Sequence, residues 1–202
     1  MAKLLTLLID FLFPPGPDNI LVRDSNQSDI VKLYDQQMIS GVLALSSYKH
    51  NLIKAAILEN KFRHNQRAAL LLSSLISRWL ENKNEPIVFV TIPLSKERFR
   101  QRGHNQSLSV LLATSPSLNV KTSWLERNQN TKPQSKLSKQ ARSENVSGAF
   151  TCNNDEINLE LETIVVLFDD VVTTGATLGA ARDALTPHLP PNTSLICLAL
   201  AH

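Results

Sequence analysis

Four stretches of the chain are apolar almost without interruption: Val42–Leu45, Ile87–Ile92, Ile164–Phe168 and Leu195–Ala201. A strand with one wet face alternates apolar and polar residues, whereas a strand covered on both faces does not. These stretches therefore read as buried strands, and Pro93 closes the second. Between them, Leu52–Leu80 carries apolar residues at helical spacing with a break near His64-Asn65, which predicts two helices. Ser107–Ala113 and Leu178–Leu185 predict two more, the last stopped by Pro187. Strands alternating with helices predict an α/β fold with a mainly parallel central sheet and helices on both faces.

The flanking segments are less informative. Leu4, Leu5, Leu8, Ile9 and Leu12 recur at helical spacing and predict a short amphipathic helix docked on the core. Ile20–Ser40 gives no clear signal, and Trp124–Gly148 is polar with little periodicity. The expected division is an N-terminal helical and irregular segment over 1–41 and an α/β domain over 42–202.

Composition excludes more than it selects. The chain has 202 residues, 43% of them hydrophobic, enough for one domain with a sizeable core. With 21 basic and 18 acidic residues it is no polycation, so any nucleic-acid contact must come from a local patch. Cys152 and Cys197 are far apart and cannot make a four-ligand zinc site; Cys197 reads as a core residue and Cys152 as an exposed thiol. Asp10 interrupts the first apolar run and no stretch reaches the length of a membrane span. The expectation is a cytoplasmic protein with no zinc.

The order of residues after Ile164 carries the chemistry. The run Ile164–Phe168 leads into Asp169-Asp170-Val171-Val172-Thr173-Thr174-Gly175-Ala176-Thr177, with a helix to follow. Ligands of open α/β sheets bind at the carboxyl ends of strands. Two carboxylates there can accept hydrogen bonds from a cis-diol. Thr173, Thr174 and Thr177, with the backbone N–H groups of a helix start around Ala176, form an anion cradle. Gly175 lets the backbone close around a phosphate. Diol acceptors followed at once by a phosphate cradle fit ribose 5-phosphate. There is no P-loop sequence and no dinucleotide fingerprint.

Val165–Thr177 resembles the 5-phosphoribosyl pyrophosphate (PRPP) motif of the type I phosphoribosyltransferases. Three further stretches resemble the ComF family of competence-associated, phosphoribosyltransferase-like proteins. The first is Ile92-Pro93-Leu94-Ser95 through Arg102-Gly103-His104-Asn105-Gln106, with His104 where the family usually has Phe. The second is Arg127, Gln134, Leu137, Arg142 and Asn145-Val146-Ser147-Gly148-Ala149-Phe150. The third, a weaker match, is Tyr48 with Lys61-Phe62. The family's opening segment is matched by Leu8–Pro15, but the cysteines of its zinc module are missing, so no zinc is carried over.

The resemblance implies a type I phosphoribosyltransferase-like fold and transfer of a phosphoribosyl group from Mg-PRPP, with release of pyrophosphate. Arg127, Arg142, Asp169 and Asp170 would be catalytic, and Pro93, Leu94, Arg102 and Gly103 would form the pyrophosphate loop. Gln134 and Asn145 would belong to a mobile lid over the substrate, a role that the polarity of Trp124–Gly148 suits. Mg²⁺ would bind mainly through substrate phosphates. The chain ends directly after the last predicted strand, so a base-recognising hood is expected from residues 1–41. The family's association with natural transformation implies an alternative: a non-enzymatic protein holding PRPP as a ligand and contacting single-stranded DNA or a protein of the competence machinery. Lys96, Arg98, Arg100 and Arg102 form one basic stretch, and Arg127, Lys132, Lys136, Lys139 and Arg142 another. No regular interleaving of aromatics is expected to give them a base-stacking surface. His104 reads as a surface or capping residue, and Trp79 and Trp124 as core or rim.

Overall fold

A computed structural model describes residues 15–127, 148–153 and 157–202. In chain order the described elements are α1 (Pro17–Asp24), α2 (Gln27–Val31), β1 (Gln37–Ile39), β2 (Val42–Ala44), α3 (Asn51–Arg63), α4 (Gln66–Leu80) and β3 (Ile87–Thr91). They continue with α5 (Lys96–Arg102), α6 (Gln106–Thr114), β4 (Asn119–Lys121), β5 (Leu125–Arg127), β6 (Phe150–Cys152), β7 (Ile164–Val171), α7 (Ala176–Leu185) and β8 (Ser194–Ala201). The central sheet has the order β1-β2-β8-β7-β3-β4. All its pairings are parallel except β1 with β2 at one edge. The chain is thus α/β with a mostly parallel sheet flanked by helices, as the apolar pattern predicts.

Side chains of a strand point alternately to its two faces, so an unbroken apolar run fills two cores at once. Val166 and Phe168 of β7, Phe89 of β3 and Leu198 of β8 pack under α3, α4 and α6. Val165 and Leu167 of β7 and Val90 of β3 pack on the opposite side with Leu178 and Ala181 of α7 and with Trp124 and Phe150 beside the β5–β6 pair. From β7 the chain crosses through α7 to β8, towards one edge; from β3 it crosses through α6 to β4, towards the other. The strand order therefore switches direction between β3 and β7, where an open sheet parts at the carboxyl ends of its strands.

Local signals fix the helix ends. His64 turns left-handed at φ 50, and the Asn65 side chain accepts the N–H groups of Arg67 and Ala68, which makes the predicted break between α3 and α4. Ile20–Ser40, silent to periodicity, holds α1, α2 and β1. Pro17 opens α1, and Asn26 with Asp29 makes a capping box on α2. Ser40 and Gly41 both take positive φ, the two-residue hairpin turn that joins β1 to β2. Trp124–Gly148, polar with little periodicity, starts with β5, which pairs antiparallel with β6 just beyond Gly148. Cys152, expected as an exposed thiol, is half-buried in β6, while Cys197 is buried.

The amphipathic helix predicted over Leu4–Leu12, and the lid residues Gln134, Arg142 and Asn145, lie outside the described residues. No helix among the described residues is long and apolar enough to cross a membrane.

Phe89 is fully buried and sits edge-on to Trp79 and Phe168, with ring centroids 6.3 and 6.4 Å away. Phe89→Ala should lower unfolding free energy by about 3–5 kcal/mol. A urea titration should show a lower midpoint at unchanged slope.

Candidate functional site

β7 runs further than its apolar stretch. Its ladder with β8 continues through Asp169, paired with Ala199, to Val171, paired with Ala201. The two acids, expected just beyond the strand, lie within it, with β8 pairing at Asp169 and Val171 on either side of Asp170. They open into a cleft of about 630 Å³ at the switch point, walled by α3, α5 and β5. Pro93, Leu94, Arg102, Arg127, Thr173 and Thr177 line this same cleft. Its outer wall comes from Tyr48 and the α3 residues to Phe62. Of the segment 1–41, from which a hood was expected, residues 1–14 lie outside the described residues; Val22 and Ile30 pack into the core beside α3 and α4, and β1 joins the sheet edge.

Asp170 is 5% exposed, and its Oδ2 lies 3.0 Å from Lys61 Nζ. That contact is an ion pair; the oxygen has no hydrogen-bond partner among the described residues. Burial works to raise the pKa of Asp170, but Lys61, then a hydrogen bond with Asp169, then Arg102 overcome it and hold the carboxyl below its ordinary range. Asp169 makes no ion pair among the described residues, and Lys61 acts on it only from a distance. Its Oδ1 accepts the Asp170 N–H at 2.8 Å and Ser107 Oγ at 3.3 Å. Burial, then the charge of Asp170, push its pKa from the ordinary 3.8 up to about 7. Asp169 keeps some contact with solvent.

The cations opposite are partly dehydrated. Burial lowers the pKa of Arg102, while Asp170 raises it. Its Nη1 donates to Gln106 Oε1 at 2.9 Å, and its guanidinium lies 5.7 Å from the Phe62 ring. Burial likewise lowers that of Arg127, which lies over Phe150 at 5.2 Å.

The stretch from Lys96 to Arg102, read from sequence as a loop, is helix α5. Ser95 Oγ caps its start by accepting the Arg98 N–H, and Gly103 ends it at φ 74. Gly103 thus shapes the end of α5 and does not line the cleft. His104, expected at the surface, is buried. Its Nδ1 lies 2.9 Å from the Arg102 carbonyl and its Nε2 2.8 Å from the Asn60 carbonyl. The imidazole ties the end of α3, which carries Lys61, to the end of α5, which carries Arg102. Aromatics also interleave with the cations after all: Phe99 is 53% and Phe62 65% exposed.

After β7, Thr174, Gly175 and Ala176 form a small cup with Asp169 at the start of α7. Thr174 Oγ1 accepts the Ala176 N–H at 3.4 Å. Gly175 takes φ 73, and a Cβ there would stand 3.0 Å from the Ser40 carbonyl oxygen and 3.2 Å from Ser40 Cβ. Both the left-handed backbone and the close approach require glycine. Of the cleft residues, Lys61 and Phe62 enter the sequence reading only through the weaker stretch of the resemblance, and Arg98 only as one of a basic run. Their approach to the acids depends on tertiary packing.

No protein-family model matches the chain, and none of the curated proteins matches it.

Two outcomes follow from this geometry. Gly175→Ala should cost at least about 1–2 kcal/mol of stability from the left-handed backbone alone, read as a lowered denaturation midpoint. Asp169 gives a pH dependence. Between 3.8 and about 7 the folded chain binds a proton that the unfolded chain has released, so the contribution of Asp169 to stability falls as pH rises through that window. Asp170, shifted down, acts in the opposite sense at lower pH. Asp169→Asn should therefore melt above the wild type at about pH 8, by roughly 2–4 °C for each kcal/mol relieved, and the gap should close towards about pH 4. A gap of equal size across that range would contradict the assignment.

Proposed function

We propose that the cleft binds PRPP and that the protein is a phosphoribosyltransferase of the ComF kind, on a type I phosphoribosyltransferase-like fold. The observation that carries this reading is the juxtaposition at the switch point: two carboxylates at the end of the central strand, a glycine-capped helix start directly after them, and arginines facing both. A ribose 5-phosphate unit offers a cis-diol and a phosphate at the matching separation in the chain's own order.

In this reading Asp170, kept ionised, accepts the ribose hydroxyls, with Asp169 beside it. The cup at Thr174–Ala176, together with Thr173 and Thr177, holds the 5-phosphate at the positive end of α7. The C1–oxygen bond to pyrophosphate breaks with positive charge developing on the ribosyl carbon. The bonding pair leaves with pyrophosphate, and Arg102 and Arg127 counter the charge that builds there. The acceptor then forms its bond to C1. Mg²⁺ would supply further charge neutralisation through the ligand's phosphate oxygens. Mg²⁺ keeps several waters and leans on substrate phosphates, so few protein ligands would be needed.

The exposed rings of Phe62 and Phe99 among cations favour one second reading. In it the protein keeps PRPP as a ligand and binds single-stranded DNA, with the rings stacking on bases.

Calorimetry in Mg²⁺ should detect PRPP and ribose 5-phosphate binding by the wild-type protein. Asp170→Asn should weaken both by about 1–3 kcal/mol, the worth of a hydrogen bond to a charged group. Absence of any heat or competition with the wild type would sink the PRPP reading. Ligand binding without pyrophosphate release against a panel of bases, together with salt-dependent DNA binding, would favour the second.

A further inference from the structure

Among the cations of the cleft, Lys61 is placed differently from the arginines. Arg102 is braced by Gln106 and Phe62, and Arg127 lies over Phe150. Among the described residues Lys61 has one ion-pair partner, Asp170, at 3.0 Å; its side chain is 23% exposed and lines the cleft. The oxygen it occupies is Asp170 Oδ2, which is buried and meets no donor other than this ammonium among the described residues. That is the acceptor a ribose hydroxyl would take. An incoming diol and the ammonium therefore compete for one oxygen.

We infer that Lys61 is a specificity-determining residue, stored on Asp170 in the empty cleft and transferred to an anionic group at C1 of the ligand when a cis-diol takes Asp170 Oδ2. The inference rests on the PRPP reading above. A sugar phosphate with a neutral C1 substituent offers the displaced ammonium nothing, so diol binding works against the ion pair. A ligand with a diphosphate at C1 replaces the lost partner with another anion. Lysine suits this use because its ammonium is a compact charge on a flexible four-carbon stem, whereas arginine favours a fixed planar fork. The selected class is thus a ribose 5-phosphate with a second anionic group at C1.

The test is a set of titrations in Mg²⁺ with PRPP and with ribose 5-phosphate, on the wild type, Lys61→Met and Lys61→Arg. Lys61→Met should lose PRPP affinity by about tenfold or more, the worth of one charged contact, while ribose 5-phosphate affinity stays within about twofold or tightens. Lys61→Arg should recover part of the preference for PRPP. Thermal melts establish that each variant is folded, and Lys61→Gln replaces the methionine variant if that one is not. Equal losses for both ligands would overturn the inference, since Lys61 would then only hold Asp170 in place; no change for either would overturn it too. A wild type that binds ribose 5-phosphate and PRPP equally well would refute the transfer but leave the PRPP reading standing. A folded wild type that binds neither would refute that reading itself.

Discussion

Two carboxylates side by side at the buried end of a central strand repel each other and lose hydration, and burial of one charge without a partner is costly. The chain meets this constraint unequally. Lys61 sits on Asp170, whereas Asp169 accepts a backbone N–H and a serine hydroxyl. The asymmetry makes one carboxyl a fixed anion and leaves the other near its titration point. Much of the surrounding structure serves to keep it so. The buried His104 ring sits between the end of α3, which carries Lys61, and the end of α5, which carries Arg102. Asn60, the residue before Lys61, adds a hydrogen bond to the Gln106 carbonyl at 2.9 Å.

The cleft exists where it does because of the sheet. β3 and β7 are neighbours whose crossovers leave in opposite directions, and the helices that follow cover opposite faces. Space is left at the carboxyl ends between them. The same apolar run that fills both cores delivers Asp169 and Asp170 to that space with no loop between, which gives them the rigidity of a paired strand. The two carboxylates on the strand and the Thr174–Ala176 cup at the helix start after it are then held by one continuous piece of backbone.

The sheet and its main helices were legible because their signals are local and strong: unbroken apolar runs for β3, β7 and β8, and apolar periodicity for α4. The short pieces were not. β1 and β4 have three residues each, too few for any period, and α5 is held by a serine cap and a glycine stop around a charged sequence with no apolar face. Residues 169–177 were legible as candidate chemistry because residue types and order coincide there. The burial of His104 and the approach of Lys61 to Asp170 were not, since each spans more than forty residues of chain, and no spacing rule reaches across separate helices. The exposed aromatic Phe99 was in plain sight between two arginines, and only its position on the outside of a helix gives it meaning.

Gly175 rests against Ser40, in the turn of the hairpin at the edge of the sheet. β1 is short, antiparallel and paired on one side only, and such elements open locally at lower free energy than core strands. The curvature of the anion cup is therefore braced by one of the weaker parts of the sheet. Hydrogen exchange at the Thr174–Ala176 amides would track the opening of β1 and β2 more closely than the slow exchange of β7, although those amides follow β7 directly in the chain.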